Sequence, residues 1–322
     1  LRMVQYNIRK GLSYMADIYD SAFRTVLNDC SKLMIPIINI SFGERYAGNE
    51  KIIFYPNEHF IDQQNAPDEK RITDTNFAVY GTVRKIYHWE CQSTPDSRML
   101  IRLFEYDAQI ALDQGEIVKE VLTVEFPHTA VLYLRYAKTK TPDAYKYVIK
   151  TPGGRVEYDV PLFKTQQYTL DEIFEKKLFL LIPFYIFSKE AEFSMYEAEP
   201  LKLEALKNEY MEIIERLDQM VQEGWLSDFD RSTLLETAKE VMDEIAKKYQ
   251  VVVKGMDQIM GGALLETNAR KIKNEGRVEG FAEKGIKIFL NLLATGMSEN
   301  EAQCLAEIDD ELVKIALKSR DM

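Results

Sequence analysis

Cysteine is scarce: Cys30, Cys91 and Cys304 are the three in 322 residues, and no two form a Cys-x-x-Cys pair. A disulfide framework and a thiolate zinc site are both disfavoured, and a reducing, cytoplasmic setting fits best. Long apolar runs are also missing. The longest, LFLLIPFYIF at 178–187, spans ten residues and contains Pro183, about half of what a membrane-spanning helix needs. It reads as a buried strand or core segment, and no membrane is expected as a partner. Nothing near the N-terminus resembles a signal peptide, and a chain that opens on Leu1 suggests a trimmed or incomplete reading frame. No Gly-x-Ser-x-Gly elbow or dinucleotide fingerprint appears, which disfavours esterase and dinucleotide-dependent chemistry. The glycine pair in TPGGR (151–155) reads as a turn. His59 and His128 stand at no spacing that suggests a metal site.

Positive charge is in deficit, with a formal net charge of −11. That argues at first sight against nucleic acid, whose phosphates are bound by lysine and arginine. The distribution softens the objection. Residues 189–250 hold sixteen acidic and eight basic side chains, which leaves the rest of the chain nearly balanced. By contrast RYAKTKTPDAYKYVIKTPGGR (135–155) has six basic residues and one acid, with tyrosines between them. It is either a solvated hairpin with lysine-guarded edges or a phosphate-facing patch.

What is present is a globular composition long enough for one or two cored domains. Between 13 and 33, behind Ser13 as a cap, apolar residues recur at three and four and predict an amphipathic helix carrying Asp20 and Arg24 on its polar side. After MIPIINISFG, interrupted by Pro36 and Gly43, strands are expected at 51–54, 71–80 and 84–92. A helix is expected at 98–113, with Arg98, Arg102, Glu105 and Gln109 as its polar stripe, and further strands near 120–124, 130–136, 145–150 and 155–160. This order predicts an α/β fold with a mixed sheet flanked by helices. From about 200 the period is helical throughout. Two apolar stripes around GWLSDFD predict an antiparallel helical hairpin, and a helical tail follows in which Gly296 ends one helix and Ser298 with Glu301 has capping-box spacing for the next. The expected organisation is a core over 1–195, an acidic hairpin over 196–255 and a helical tail over 256–322. The tail helices suit packing or a homodimer better than a helix-turn-helix.

The stretch YHWECQS (87–93) sets His88, Glu90 and Gln92 on one strand face and Trp89 with Cys91 on the other. If 71–80 and 84–92 form a hairpin turning near Gly81 and Thr82, Asp74 falls opposite Glu90 and Asn76 opposite His88. Two carboxylates at that distance repel unless one is protonated or a divalent cation binds both. The functional reading is an Mg²⁺ or similar ion held by Asp74, Glu90, waters and the carbonyl of Cys91, with Gln92 positioning a water. The plain alternative is a pair of solvated carboxylates on an exposed sheet face. A register slip of one residue would separate them.

The succession DSAFR (20–24), PIINISFG (36–43), ITD (72–74), YHWECQS (87–93) and MLIRLFEYDAQIAL (99–112) resembles the Rpn family of recombination-promoting nucleases and putative transposases, part of the PD-(D/E)XK nuclease superfamily. It covers roughly 15–190, and GRVEGFAEKG with LLATGMSENEAQCLAEI is similar to the family's variable C-terminus. The resemblance implies a restriction-endonuclease-like core and a metal-dependent endonuclease acting on DNA in recombination or a mobile element. Asp74 and Glu90 match the acidic positions of the motif. Gln92 stands where the superfamily usually has lysine, a departure that bears on how strongly the chain cleaves. Asp20 is an extra metal or outer contact by resemblance, or an ordinary surface acid paired with Arg24. Arg98 and Arg102 either hold a phosphate or pair with nearby acids, and His88 is either a site residue or a hydrogen-bonded structural one. The rival class is a catalytically weak nuclease-fold module that binds DNA or, through its acidic hairpin, a protein.

Overall fold

The computed structural model describes residues 18–55, 58–61, 69–72, 75–93, 98–136 and 141–265, and in the tail 286–290 with scattered positions up to 317. The chain divides into two compact units, Leu1–Gly262 and Ala263–Met322. Among the described residues no helix is long and apolar enough to cross a membrane.

Unit 1 is built on a six-stranded mixed sheet. Its strands are β1 (Lys51–Phe54), β4 (Thr75–Tyr80), β5 (Arg84–Gln92), β8 (His128–Tyr133), β10 (Gly154–Lys164) and β9 (Ala144–Thr151), in that spatial order. The β5–β8 and β8–β10 pairs are parallel, and the outer pairs are antiparallel. Two further two-stranded ribbons stand apart, β2 (Glu58–Ile61) with β3 (Glu69–Ile72) and β6 (Glu116–Val118) with β7 (Val121–Thr123). The expected strand over 71–80 is thus divided: the backbone of Glu69–Ile72 is taken by β2, and only Thr75–Tyr80 pairs with β5.

Both faces of the sheet are covered. On one lies α3 (Met99–Asp113), which connects β5 toward the parallel strand β8 and buries Met99 and Leu103 against Val131, Tyr133 and Val160. On the other lies α2 (Ile35–Phe42), with Phe42 against Tyr87, Trp89 and His128. The residues that seemed to interrupt this segment delimit it instead. Pro36 sits in the first turn, where its missing N–H costs nothing, and Gly43 takes a left-handed C-cap at φ 66°.

The first helix, α1, covers the described positions 18–29 and stops at Cys30, whose φ of −127° leaves the helical region. It does not run on to 33. A 3₁₀ turn, Ser31–Met34, leads into α2. The apolar run at 178–187 is not a strand: Phe179–Ser188 forms a 3₁₀ helix, eight of whose residues are buried. Tyr19 and Phe23 of α1 pack on Phe187 and Phe184. A run apolar on every side has no period to distinguish strand from helix, so its neighbours decide.

Beyond α4 (Leu170–Glu175) and α5 (Phe193–Ala198), α6 (Pro200–Gln222) and α7 (Asp228–Ile245) form the acidic hairpin. Gly224 turns the chain at φ 78°, and Ser227 with Asp230 makes a capping box that starts α7. Many of its acids are paired within unit 1, for example Glu209 with Lys189 and Asp218 with the buried Arg231. Residues 250–265 form a last helix. In unit 2, Phe289, Ala306 and Val313 make a small core with Ile286, Leu290, Leu293, Leu312 and Leu317. Gly296 and Glu301 lie outside the described residues, so the expected cap there does too.

Candidate active site

β5 is the strand on which the site is assembled. It pairs antiparallel with β4 across the three-residue turn 81–83, with Asn76 opposite His88 and Thr75 opposite Trp89 as the hairpin reading expected. The described ladder ends there, one pair before the position proposed for Asp74, which lies outside the described residues. β5 is a central strand buried on both faces. Tyr87, Trp89 and Cys91 point toward α2 and the core beyond it, and His88 and Glu90 toward α3. The alternative of solvated carboxylates therefore fails for Glu90, which is only 3% exposed.

A buried carboxylate needs partners, and they come from α3 and β8. His88 Nε2 lies 3.3 Å from Glu90 Oε1, and His88 Nδ1 lies 2.7 Å from Asp107 Oδ1. Thr129, on β8, donates its hydroxyl to that same Asp107 oxygen at 2.6 Å. Arg102 Nη2 stands 4.0 Å from Glu90 Oε2, and a third of its side chain is exposed, so it reaches the cluster from the surface. Burial opposes charge on the His88 ring, but Asp107 and then Glu90 outweigh it and push its pKa up to about 9. The ring is therefore an imidazolium at neutral pH and donates from both nitrogens. Burial pushes the phenols of Tyr147 and Tyr158 up, and the charge of Asp107 adds to the rise.

Two of the residues selected from the sequence, His88 and Glu90, are thus brought into one hydrogen-bonded chain, with Arg102 at its margin. Gln92 follows Glu90 by two positions on β5 and is partly exposed; its carbonyl accepts from Leu134 N–H at 2.9 Å. Arg98 is exposed at the N-cap of α3. Asp20 and Arg24 lie one turn apart on α1, whose Tyr19 and Phe23 pack on the 3₁₀ segment. Asp107 and Thr129 escaped the sequence reading. A signal for Asp107 existed: it falls within the apolar stripe of Leu103, Tyr106 and Ile110, where an acid is out of place unless paired.

A hard divalent cation requires several oxygen ligands. Among the described residues no group of three or more His, Cys, Asp or Glu side chains could hold one. His88 in its imidazolium form has no lone pair to offer, and Asp107 Oδ1 already accepts from His88 and Thr129. A cleft of about 1050 Å³ lies elsewhere, beside α2, lined by Pro36, Ile40, Tyr168, Lys177 and Trp225. Its one acid, Asp230, is occupied in the Ser227 cap. The buried polar chain, and not this cleft, gathers carboxyl groups and an imidazole.

What this arrangement can do is hold two carboxyl groups against one imidazole in a dry setting and present a guanidinium beside them. Compared with family models, with curated proteins and with solved structures, the chain has no match.

Proposed function

We propose that the chain is a divalent-cation-dependent endonuclease that hydrolyses DNA phosphodiesters, as its resemblance to the Rpn nucleases implies. The observation that carries the reading is Glu90: an acid buried on a central strand, held 3.3 Å from the His88 ring and flanked by an arginine that reaches solvent. In this proposal Asp74, Glu90 and the Cys91 carbonyl hold Mg²⁺ or Mn²⁺. When bound, the cation supplies Lewis acidity and a water of lowered pKa. His88, fixed by Asp107, orients Glu90. Arg102, with Arg98 one turn earlier, receives phosphate charge. Gln92 positions the water by hydrogen bonding, since an amide has no charge with which to activate it. Involvement in recombination or a mobile element belongs to the same proposal.

The test is nicking of supercoiled plasmid by the purified full chain with Mg²⁺, Mn²⁺ or EDTA, beside Asp74→Ala and Glu90→Ala. Metal-dependent nicking lost in both variants is the expected result. Background cleavage that is the same in all three proteins would overturn the assignment. A second reading, a catalytically weak nuclease-fold module, is favoured by the neutral Gln92 where the superfamily usually has lysine, together with the acidic helical hairpin. It predicts DNA or protein binding without turnover.

A further inference from the structure

The cleft beside α2 collects positive charge with no carboxylate left over to answer it. Lys32 enters from the 3₁₀ turn, Lys176 and Lys177 from the end of α4, and Trp225 from the turn between α6 and α7. Its volume of about 1050 Å³ is at the upper end for a small-molecule site. Among its described lining residues the acid is Asp230, whose Oδ2 already accepts from the Ser227 N–H at 2.8 Å and the Ser227 hydroxyl at 2.7 Å. Lys176 stands 3.2 Å from Glu172, but that pair is exposed and binds weakly. Neither Lys32 nor Lys177 has a carboxylate within ion-pair distance among the described residues.

Lys177 is held there against a local preference. The Leu178 N–H bonds the Ile173 carbonyl at 2.8 Å and the Lys177 N–H bonds that of Phe174 at 3.2 Å, the pattern that closes a helix on a left-handed residue, usually glycine. Lys177 fills that position at φ 58°, where a side chain is strained. Its ammonium lies over the Trp225 ring, 2.7 Å from the centroid, and the Lys176 ammonium lies 5.4 Å from the Tyr168 centroid. Trp225 nevertheless remains 54% exposed, whereas Trp89 is wholly buried. Cations and an open aromatic ring therefore stand side by side at the cleft.

We propose that this cleft binds a nucleotide: Lys32, Lys176 and Lys177 meet the phosphate, and Trp225 stacks on the base with the ring surface that Lys177 leaves open. Its described lining has three lysines and no arginine. Lysine holds phosphate as a point charge, whereas a carboxylate is better gripped by the two parallel bonds of a guanidinium. An exposed indole offers a surface on which any base can stack. Pro36 and Ile40 supply the apolar wall that such sites share. Free mononucleotides and the nucleotides of a single strand have this chemistry in common. Glu90 faces α3, and the cleft lies beside α2 on the other face of the sheet. The proposal therefore does not depend on the nuclease reading.

Calorimetric titration of the purified full chain tests it, with adenosine monophosphate, a short single-stranded oligodeoxyadenylate and inorganic phosphate as separate probes, and EDTA present to prevent hydrolysis. Saturable nucleotide binding is expected with a dissociation constant below about 1 mM. It should be about tenfold tighter than phosphate, because stacking contributes only when a base is attached. An oligonucleotide bound more tightly than the monophosphate assigns the site to a strand, and equal or weaker binding assigns it to the free nucleotide. Lys32 and Trp225 are exposed, so Lys32→Gln and Trp225→Leu should fold as wild type, and each should weaken binding about tenfold. Lys177→Gly removes cation and strain together. It should bind more weakly yet melt no lower than wild type, a combination that a purely structural lysine would not give. The absence of saturable binding by either nucleotide probe overturns the proposal, as does phosphate bound as tightly as the nucleotide. Affinity that all three substitutions leave unchanged also overturns it, by placing the ligand elsewhere on the chain.

Discussion

His88 on β5 and Asp107 on α3, nineteen positions apart, share a fully buried 2.7 Å hydrogen bond that ties the central strand to the helix above it. The same carboxylate oxygen takes the Thr129 hydroxyl, so a strand, a helix and the next parallel strand are joined at one point.

Removing that point should be costly. Asp107→Ala takes from the His88 ring the nearer of its two carboxyl partners and from Thr129 its acceptor, and breaking one half of a buried ion pair costs about 3–5 kcal/mol. Urea denaturation is expected to show a loss of this order, with Asp107→Asn milder because it keeps an acceptor. A loss below about 1 kcal/mol, the worth of an exposed pair, would mean that the bond is not formed in solution.

Stability should fall on the alkaline side of neutrality. The folded-state pKa of His88, about 9, lies above its ordinary 6.5, so the folded form holds its proton more tightly than the unfolded one. The stabilisation is complete below about 6.5 and is lost as pH rises toward 9. Urea midpoints at pH 6, 7.5 and 9 should decline, and His88→Gln should flatten the trend. An equal decline in the variant would assign it to other groups.

Gly81, in the β4–β5 turn, is fixed by close approach rather than by its backbone angle. A Cβ there would meet Cε1 of Tyr46 at 2.8 Å, and the Tyr46 hydroxyl is bonded to that of Tyr87 at 2.9 Å. Gly81→Ala therefore displaces the ring and is expected to destabilise the fold by about 1–3 kcal/mol. Gly81→Ala combined with Tyr46→Ala should cost less than the two separate losses added together, a coupling that thermal melts of the four proteins would reveal.

Cys30 and Cys91 should be inert in the native state. Both are buried, and burial, reinforced by Asp230, pushes the Cys30 thiol up to about 12, so almost no thiolate exists at neutral pH. Mass spectrometry after iodoacetamide treatment at pH 8 should find both unmodified until denaturant is added.

The β4–β5 pairing was legible in the sequence because alternation and a short turn together allow few registers, and a slip would invert every side chain. The long helices were legible for a similar reason, since Met99, Leu103, Tyr106 and Ile110 repeat at helical spacing. The polar chain beneath α3 was legible only in part. His88 and Glu90 stood out on β5, but nothing local to that strand indicates which distant acid and hydroxyl will meet them.

Local pattern by itself determined the register of the central hairpin, the amphipathic helices and the scarcity of thiol chemistry, because each depends on neighbours within a few residues. Tertiary structure decided that Phe179–Ser188 is helical, that Glu69–Ile72 leaves the main sheet for β2, and that Asp107 and Thr129 complete the cluster around His88. Those outcomes depend on which surfaces and backbone groups are brought opposite one another across long stretches of chain, and burial then requires every polar group caught between them to find a partner.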